Sequence, residues 1–296
     1  MAGNPHGAVK RELLVRYLDA WTPATLHGSR RATFAAGFAR TDTDTAVAAL
    51  RVFGEFTDLL AKHRLTMVLI GSDAEDLPLS GTPNGLEVHA VNGSCDEELV
   101  PALTAAQAFG GAILAYLDLS GADPPGTATI AAVSAGKASE VLLALDPSAD
   151  GYREAVRGAG LAHVADVELV DESGAAQLVM FATASAKNMD RFKDALWAVD
   201  EYAGVSYRDP RDPDRELLPI SVSPHLGPLR RALLDRIGQL GQATAADLRE
   251  YTLTETMYRA ADATRVLTAL LGTGAVTRDP AKGRLAPETV IRRARR

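Results

Sequence analysis

One cysteine, Cys95, stands among 296 residues, so no internal disulfide can form and the fold must rest on its core. The apolar stretches fall well short of the roughly 18 residues that a membrane span requires. Residues Met1–Gly7 carry no basic segment leading into an apolar run, so no secretory signal is expected. These absences predict a soluble, cytoplasmic protein. The six histidines are scattered singly, no His/Cys/Asp cluster has metal-ligand spacing, and no Ser, Cys or His nucleophile has a recognisable setting. No metal site is expected. Internal repeats and long low-complexity tracts are also missing.

A chain of this length, 47% hydrophobic and 23% charged, can bury one full core with a smaller satellite, because single cores stop growing near this size. The net charge of −7 conceals an uneven distribution. Residues 226–296 hold 13 Lys+Arg against 7 Asp+Glu, whereas the rest of the chain holds 18 against 31. Such asymmetry points to a polyanion that meets one part and not the other. The alternative is a solubilising tail, since Arg292, Arg293, Arg295 and Arg296 supply four of the positive charges.

Ala8–Trp21 places Leu13, Leu14, Tyr17, Leu18 and Trp21 at helical spacing. Thr33–Ala39 reads as a strand, followed by a polar loop, Arg40–Thr45, and a helix with Val47, Leu50, Phe53 and Leu60 on one face. Leu65–Ile70, bounded by Gly71-Ser72-Asp73, suits a strand buried on both faces. Gly85–Val91 is a weaker third strand, Gly111–Leu117 stops at Asp118, and Glu140–Leu145 stops at Asp146. Strands separated by helical stretches predict an α/β fold with a Rossmann-like, doubly wound sheet. Val167–Val170 and Gln177–Thr183 read as an antiparallel hairpin at its edge, as in many methyltransferase sheets. Asn188–Val199 reads as a helix with Met189, Phe192 and Leu196 inward and Lys193 and Asp194 outward. Arg208–Arg215 alternates Asp, Pro and Arg and reads as an exposed linker. The expected division is a first domain over 1–207, a linker over 208–225 and a second domain over 226–296.

The second domain has its own pattern. Leu229, Leu233, Leu234, Ile237 and Leu240 make one helix face that Gly241 ends, and Thr244 is placed to cap a second helix from Ala245 to about Tyr251. A third helix carries Val266, Leu267, Leu270 and Leu271 and ends at Gly272, after which Ala275–Arg278 and Gly283–Ala286 read as a hairpin. Three helices and a hairpin in this order describe a winged helix-turn-helix. In such folds the third helix enters a groove of a duplex and the hairpin touches phosphate. Arg259, Thr264 and Arg265 on the helix, with Arg278, Lys282 and Arg284 on the wing, are the expected nucleic-acid contacts, DNA being the expected polymer. Winged helices also serve as docking or dimerisation modules, which leaves a homodimer as the alternative.

A nucleotide-type cofactor needs glycines after the first strand and an acid near the end of the second. The segment Ala36-Gly37-Phe38-Ala39-Arg40-Thr41-Asp42 offers one glycine, and Arg40 would fill cofactor space unless it swings outward. Gly37 and Asp73 are the cofactor-binding candidates. Asp118, with Leu119-Ser120-Gly121, borders the crevice at the end of the fourth strand and is the catalytic candidate, its plainer reading being a turn cap.

The segments Lys10–Trp21, Ala36–Ala39, Ala49–Leu60, Leu117-Asp118 with Gly121, Glu140–Leu143 and above all Phe192-Lys193-Asp194-Ala195-Leu196-Trp197-Ala198-Val199-Asp200 resemble the three-Cys-motif partner proteins, called TcmP. The resemblance implies a class I S-adenosylmethionine methyltransferase-like domain, a carboxy-terminal winged helix, and association with a radical-S-adenosylmethionine-like protein bearing three cysteines. This chain departs from the family's Asp-Gly-Phe-Ala-Gly-Pro-Gly after the first strand, where the acid and two glycines are replaced. The family's Asp-Pro-Phe-Gly becomes Asp118-Leu119-Ser120-Gly121. Two functions follow as expectations. One is a TcmP-like scaffold with a degenerate cofactor site that binds nucleic acid and a protein partner. The other is an active methyltransferase on nucleic acid or a small molecule, with S-adenosylmethionine held near Gly37, Asp73 and Asp118.

Overall fold

The computed structural model describes residues 4–77, 79, 81–147, 151–199 and 204–294. Asn4 caps the first helix, α1 (Pro5–Gly28), whose buried face carries Leu13, Leu14, Tyr17, Leu18 and Trp21 as their spacing predicts, and also Lys10. Then come β1 (Arg31–Phe38), α2 (Thr43–Gly54), the short α3 (Thr57–Leu60), β2 (Arg64–Gly71), β3 (Leu86–Asn92), α4 (Cys95–Ala105), β4 (Ala112–Asp118), α5 (Thr127–Ser134) and β5 (Ala138–Leu145). The remainder of the first unit is α6 (Tyr152–Gly158), β6 (His163–Asp171), β7 (Ala176–Thr183), α7 (Ala186–Ala198), β8 (Val205–Arg208) and β9 (Leu218–Pro219).

Nine strands form one sheet in the order β3-β2-β1-β4-β5-β7-β6-β8-β9. The first five are parallel, and β7 enters antiparallel beside β5. The run β3-β2-β1-β4-β5-β7-β6 is the class I methyltransferase arrangement, so the Rossmann-like reading holds. Strands β1, β2, β4 and β5 are buried along nearly their whole length because helices cover both faces. One face packs on α1, α2 and α7, and the other on α4, α5 and α6.

Residues 208–225 differ from expectation. Strand β8 pairs with β6, and β9, inside the expected linker, pairs with β8. Arg208 and Arg215 both reach Glu168, and Arg211 lies 3.3 Å from Asp166. The alternation of Asp, Pro and Arg lacks periodicity because these side chains pair with charges on β6 and with one another.

The carboxy-terminal unit consists of α8 (Gly227–Leu240), β10 (Gln242–Thr244), α9 (Ala245–Glu255), α10 (Ala260–Gly272), β11 (Val276–Asp279) and β12 (Val290–Arg293), with strand order β10-β12-β11. Thr244 caps α9 through a capping box with Asp247. The second strand of the hairpin is Val290–Arg293 and not Gly283–Ala286. Ile291 supplies the fully buried side chain that the nearer segment lacks, while Arg278 donates to the carbonyls of Pro280, Gly283 and Arg284 and shapes the intervening loop. Arg292 and Arg293 therefore belong to a strand; Arg295 and Arg296 lie outside the described residues.

Helix α7 joins the two units. Met189, Phe192 and Leu196 face the core, as expected, but Lys193 does not point to solvent: its exposure is 0%. Asp190, Lys193, Asp194 and Trp197 follow helical spacing and face the carboxy-terminal unit. The Lys193 ammonium donates to the carbonyls of Thr252, Leu253, Thr256 and Tyr258 at 2.6–3.1 Å. Three of these carbonyls belong to the last turn and cap of α9, where a helix leaves its C=O groups without internal partners. A cation there also meets the negative end of the helix dipole. Trp197 donates to the Met257 carbonyl at 3.0 Å and stacks on Tyr258. The segment Phe192–Val199 is thus the joint between the units; Asp200 lies outside the described residues.

Candidate functional site

Open α/β sheets hold ligands beyond the carboxyl ends of their strands, and β1, β2 and β4 carry Gly37, Asp73 and Asp118 to that edge. Phe38 is in register with Asp118, and Gly37 with Ile70. All three candidates stand at this one edge of the sheet. Their surroundings differ from those of a cofactor cradle.

A Cβ on Gly37 would stand 2.4 Å from Cys95 Sγ and 2.9 Å from a Leu117 methyl. The missing side chain makes room for α4, which crosses β1 at this point. Arg40 is exposed, so it does swing outward and leaves the crevice to its neighbours. Thr41 Oγ1 accepts the Asp73 backbone N–H at 3.3 Å and lies 2.7 Å from where a Gly71 Cβ would be. The turns after β1 and β2 are thereby tied together. Asp42, at a position where the family has glycine, accepts from the backbone N–H and hydroxyl of Thr45 at 3.1 and 2.7 Å and caps α2. That cap supplies an internal carboxylate to the helix end where an anionic ligand group would otherwise bind. Such a cap contributes about 1 kcal/mol to the helix.

Asp73 itself is exposed, and its carboxylate accepts from Ser72 at 3.0 Å. Asp118 is half-buried and its oxygens are shared among several donors. Lys10 Nζ lies 2.6 Å from Oδ2, where the Tyr116 hydroxyl also approaches at 3.4 Å, and the Ser120 hydroxyl and N–H donate to Oδ1. Lys10 also donates to Ser120 at 3.2 Å. Four internal donors take up the acceptor positions of this carboxylate. The residues at this edge do not fit the glycine-lined cradle that the resemblance implies for S-adenosylmethionine. Among the described residues, no group of three or more His, Cys, Asp or Glu could hold a metal ion.

Lys10 is the site residue that the sequence reading missed. Its signal was present: a cation at position 10 in the 10, 13, 14, 17, 21 stripe of a buried helix face requires a buried partner.

The six expected nucleic-acid contacts divide. Arg259 sits at the joint, bonded to Asp262 at 2.9 Å and to the Val222 carbonyl at 3.2 Å, and lies 3.9 Å from Asp194. Arg278 is spent on the loop carbonyls described above. Thr264 accepts from Arg249 at 3.0 Å and borders, with Arg284, a groove of about 690 Å³ between α10 and the loop that joins β11 to β12. Arg265 is 55% exposed beside Asp262, and Lys282 and Arg284 are exposed.

No protein-family model and no curated protein matches the sequence. Solved structures with a similar course of the chain include EvdMO1, at 13% identity and TM-score 0.38 over 62% of this chain; the chain spans 42% of that protein. Protein LPL1258 from Legionella pneumophila is 13% identical at TM-score 0.42, covering 70% of this chain and 97% of its own. A release-factor-specific protein-(glutamine-N5) methyltransferase from Alicyclobacillus acidocaldarius is 12% identical at TM-score 0.32, covering 61% and 93%.

Proposed function

We propose that this chain is a non-catalytic scaffold on a methyltransferase fold, with its cofactor edge closed by its own side chains and its carboxy-terminal unit, read as a winged helix, meeting DNA. The observation that carries the reading is the Lys10–Asp118 ion pair at 2.6 Å, which commits the one carboxylate placed for catalysis. The Thr41 bridge and the Asp42 cap support it from the neighbouring strands. In a winged helix, α10 enters a groove and the loop after β11 approaches phosphate. Arg265, Lys282 and Arg284, with Thr264, make up the contact set on this reading, while Arg259 and Arg278 hold the unit in shape. The three-cysteine partner that the resemblance implies would dock elsewhere than on Phe192–Val199, because all of that segment except Asp194 and Ala198 is buried.

Calorimetric titration with S-adenosylmethionine or S-adenosylhomocysteine is expected to give no binding at micromolar concentrations, and micromolar affinity would refute the closed edge. Fluorescence anisotropy with a labelled duplex is expected to show affinity that falls steeply with salt. Lys282→Ala with Arg284→Ala should reduce the log–log slope by about 2 through loss of two phosphate contacts. Binding that ignores salt, or none, would leave the unit as a docking or dimerisation module.

A further inference from the structure

The amino-terminal edge of the sheet, opposite the closed crevice, carries a cleft of about 890 Å³. Arg30 and Arg31 line it from the start of β1, Lys137 from the turn before β5, and Lys187 and Arg191 from the first turns of α7. Among the described residues none of these five cations forms an ion pair. Arg31 donates to the Gln107 carbonyl and Arg191 to the Asn188 side chain, both neutral acceptors. The acid in the lining, Glu140, is buried, and its two oxygens accept from Tyr17 and Asn188. In a chain of net charge −7, most basic side chains would be expected to find carboxylates. Arg191 alone among them feels the buried Glu140 carboxyl, and the other four, converging on one concavity without a carboxylate, repel one another until an anion enters.

The helix ends at the cleft oppose one another. The amino end of α7 adds positive partial charge, while the last turn of α1, with Ala24, Thr25 and Gly28 on the wall, brings carbonyl oxygens. Each is equivalent to roughly half a charge, so five full charges decide the sign. We propose that this cleft binds a polyphosphate-bearing small anion of nucleotide size. Its volume falls in the roughly 300–1,000 Å³ range of small-molecule sites. The cations come from three separate segments of the chain, and Gly110 and Ala138 are small residues of its wall.

The test titrates the full chain with ATP and, separately, with inorganic tripolyphosphate. Both are expected to bind saturably, and a preference for ATP would assign the nucleotide while equal affinity would assign the bare polyphosphate chain. Lys137→Glu with Lys187→Glu, both exposed positions, should weaken binding by about tenfold or more without changing the unfolding temperature. Lys282→Ala with Arg284→Ala on the wing should leave it unchanged. Absence of saturable binding at millimolar ligand would overturn the proposal. So would binding indifferent to the cleft charge reversals, or a single-stranded oligonucleotide that binds more tightly than ATP through the same residues.

Discussion

Glu140, the third residue of β5, is buried beneath the hydroxyl of Tyr17 and the amide of Asn188. Burial pushes its carboxyl up from 4.5 to about 7, against the opposing pull of the two hydrogen bonds and of Arg191. Because the folded value lies above the unfolded one, this group's contribution to stability is fully present below the unfolded value and is lost as pH rises through the folded value. Denaturant midpoints should therefore fall between about pH 5 and about pH 8, with roughly 3 kcal/mol available from a shift of this size. Glu140→Gln should flatten that dependence; a variant with the parent's full pH slope would remove Glu140 as its cause. The sequence shows an acid at the head of an apolar run, but its partners come from α1 and α7, more than forty residues away in either direction, and spacing along one strand cannot reveal them.

At the scale of elements, α4 approaches β1 closely because Gly37 has no side chain. Gly37→Ala should destabilise the protein by about 1–3 kcal/mol in chemical denaturation, since the new methyl overlaps Cys95 Sγ. Cys95→Ala in the same chain should recover much of that loss, and simple additivity of the two changes would show that the clash lies elsewhere. Strands β1, β2, β4 and β5 were legible because continuous apolar runs must be buried on both faces. Strands β8 and β9 were not: four and two residues are too short to display a period, and β8 is placed by Glu168 and by pairing with β6, β9 by pairing with β8. Strand β12 escaped for a related reason, as turn residues suggested a tight hairpin where the chain makes a longer loop.

For the molecule as a whole, Lys193 links the two units through four backbone carbonyls. Burial lowers its pKa, as does the nearby Arg211 charge, and its side-chain nitrogen meets four carbonyls that have need of a donor. Lys193→Met keeps the volume and leaves those carbonyls unmatched, which should cost about 3–5 kcal/mol. Thermal unfolding should then separate into two transitions where the parent shows one; a single transition at an unchanged temperature would contradict this role. The candidate site was half legible. The sequence identified which residues reach the carboxyl edge, because strand ends follow from the apolar runs, but not that Lys10 and Thr41 would occupy it, since each acts across a chain reversal; Asp42 acts locally, on Thr45.

The two-residue strand β9 ends at Pro219, a residue whose ring offers no N–H to a further neighbour. A second copy laid alongside would find half of that backbone unable to donate, and the strand too brief to hold a register. The large sheet is in this way protected from growing outward at that margin, and crowding should drive copies of the chain together through side chains before it drives them into a shared sheet.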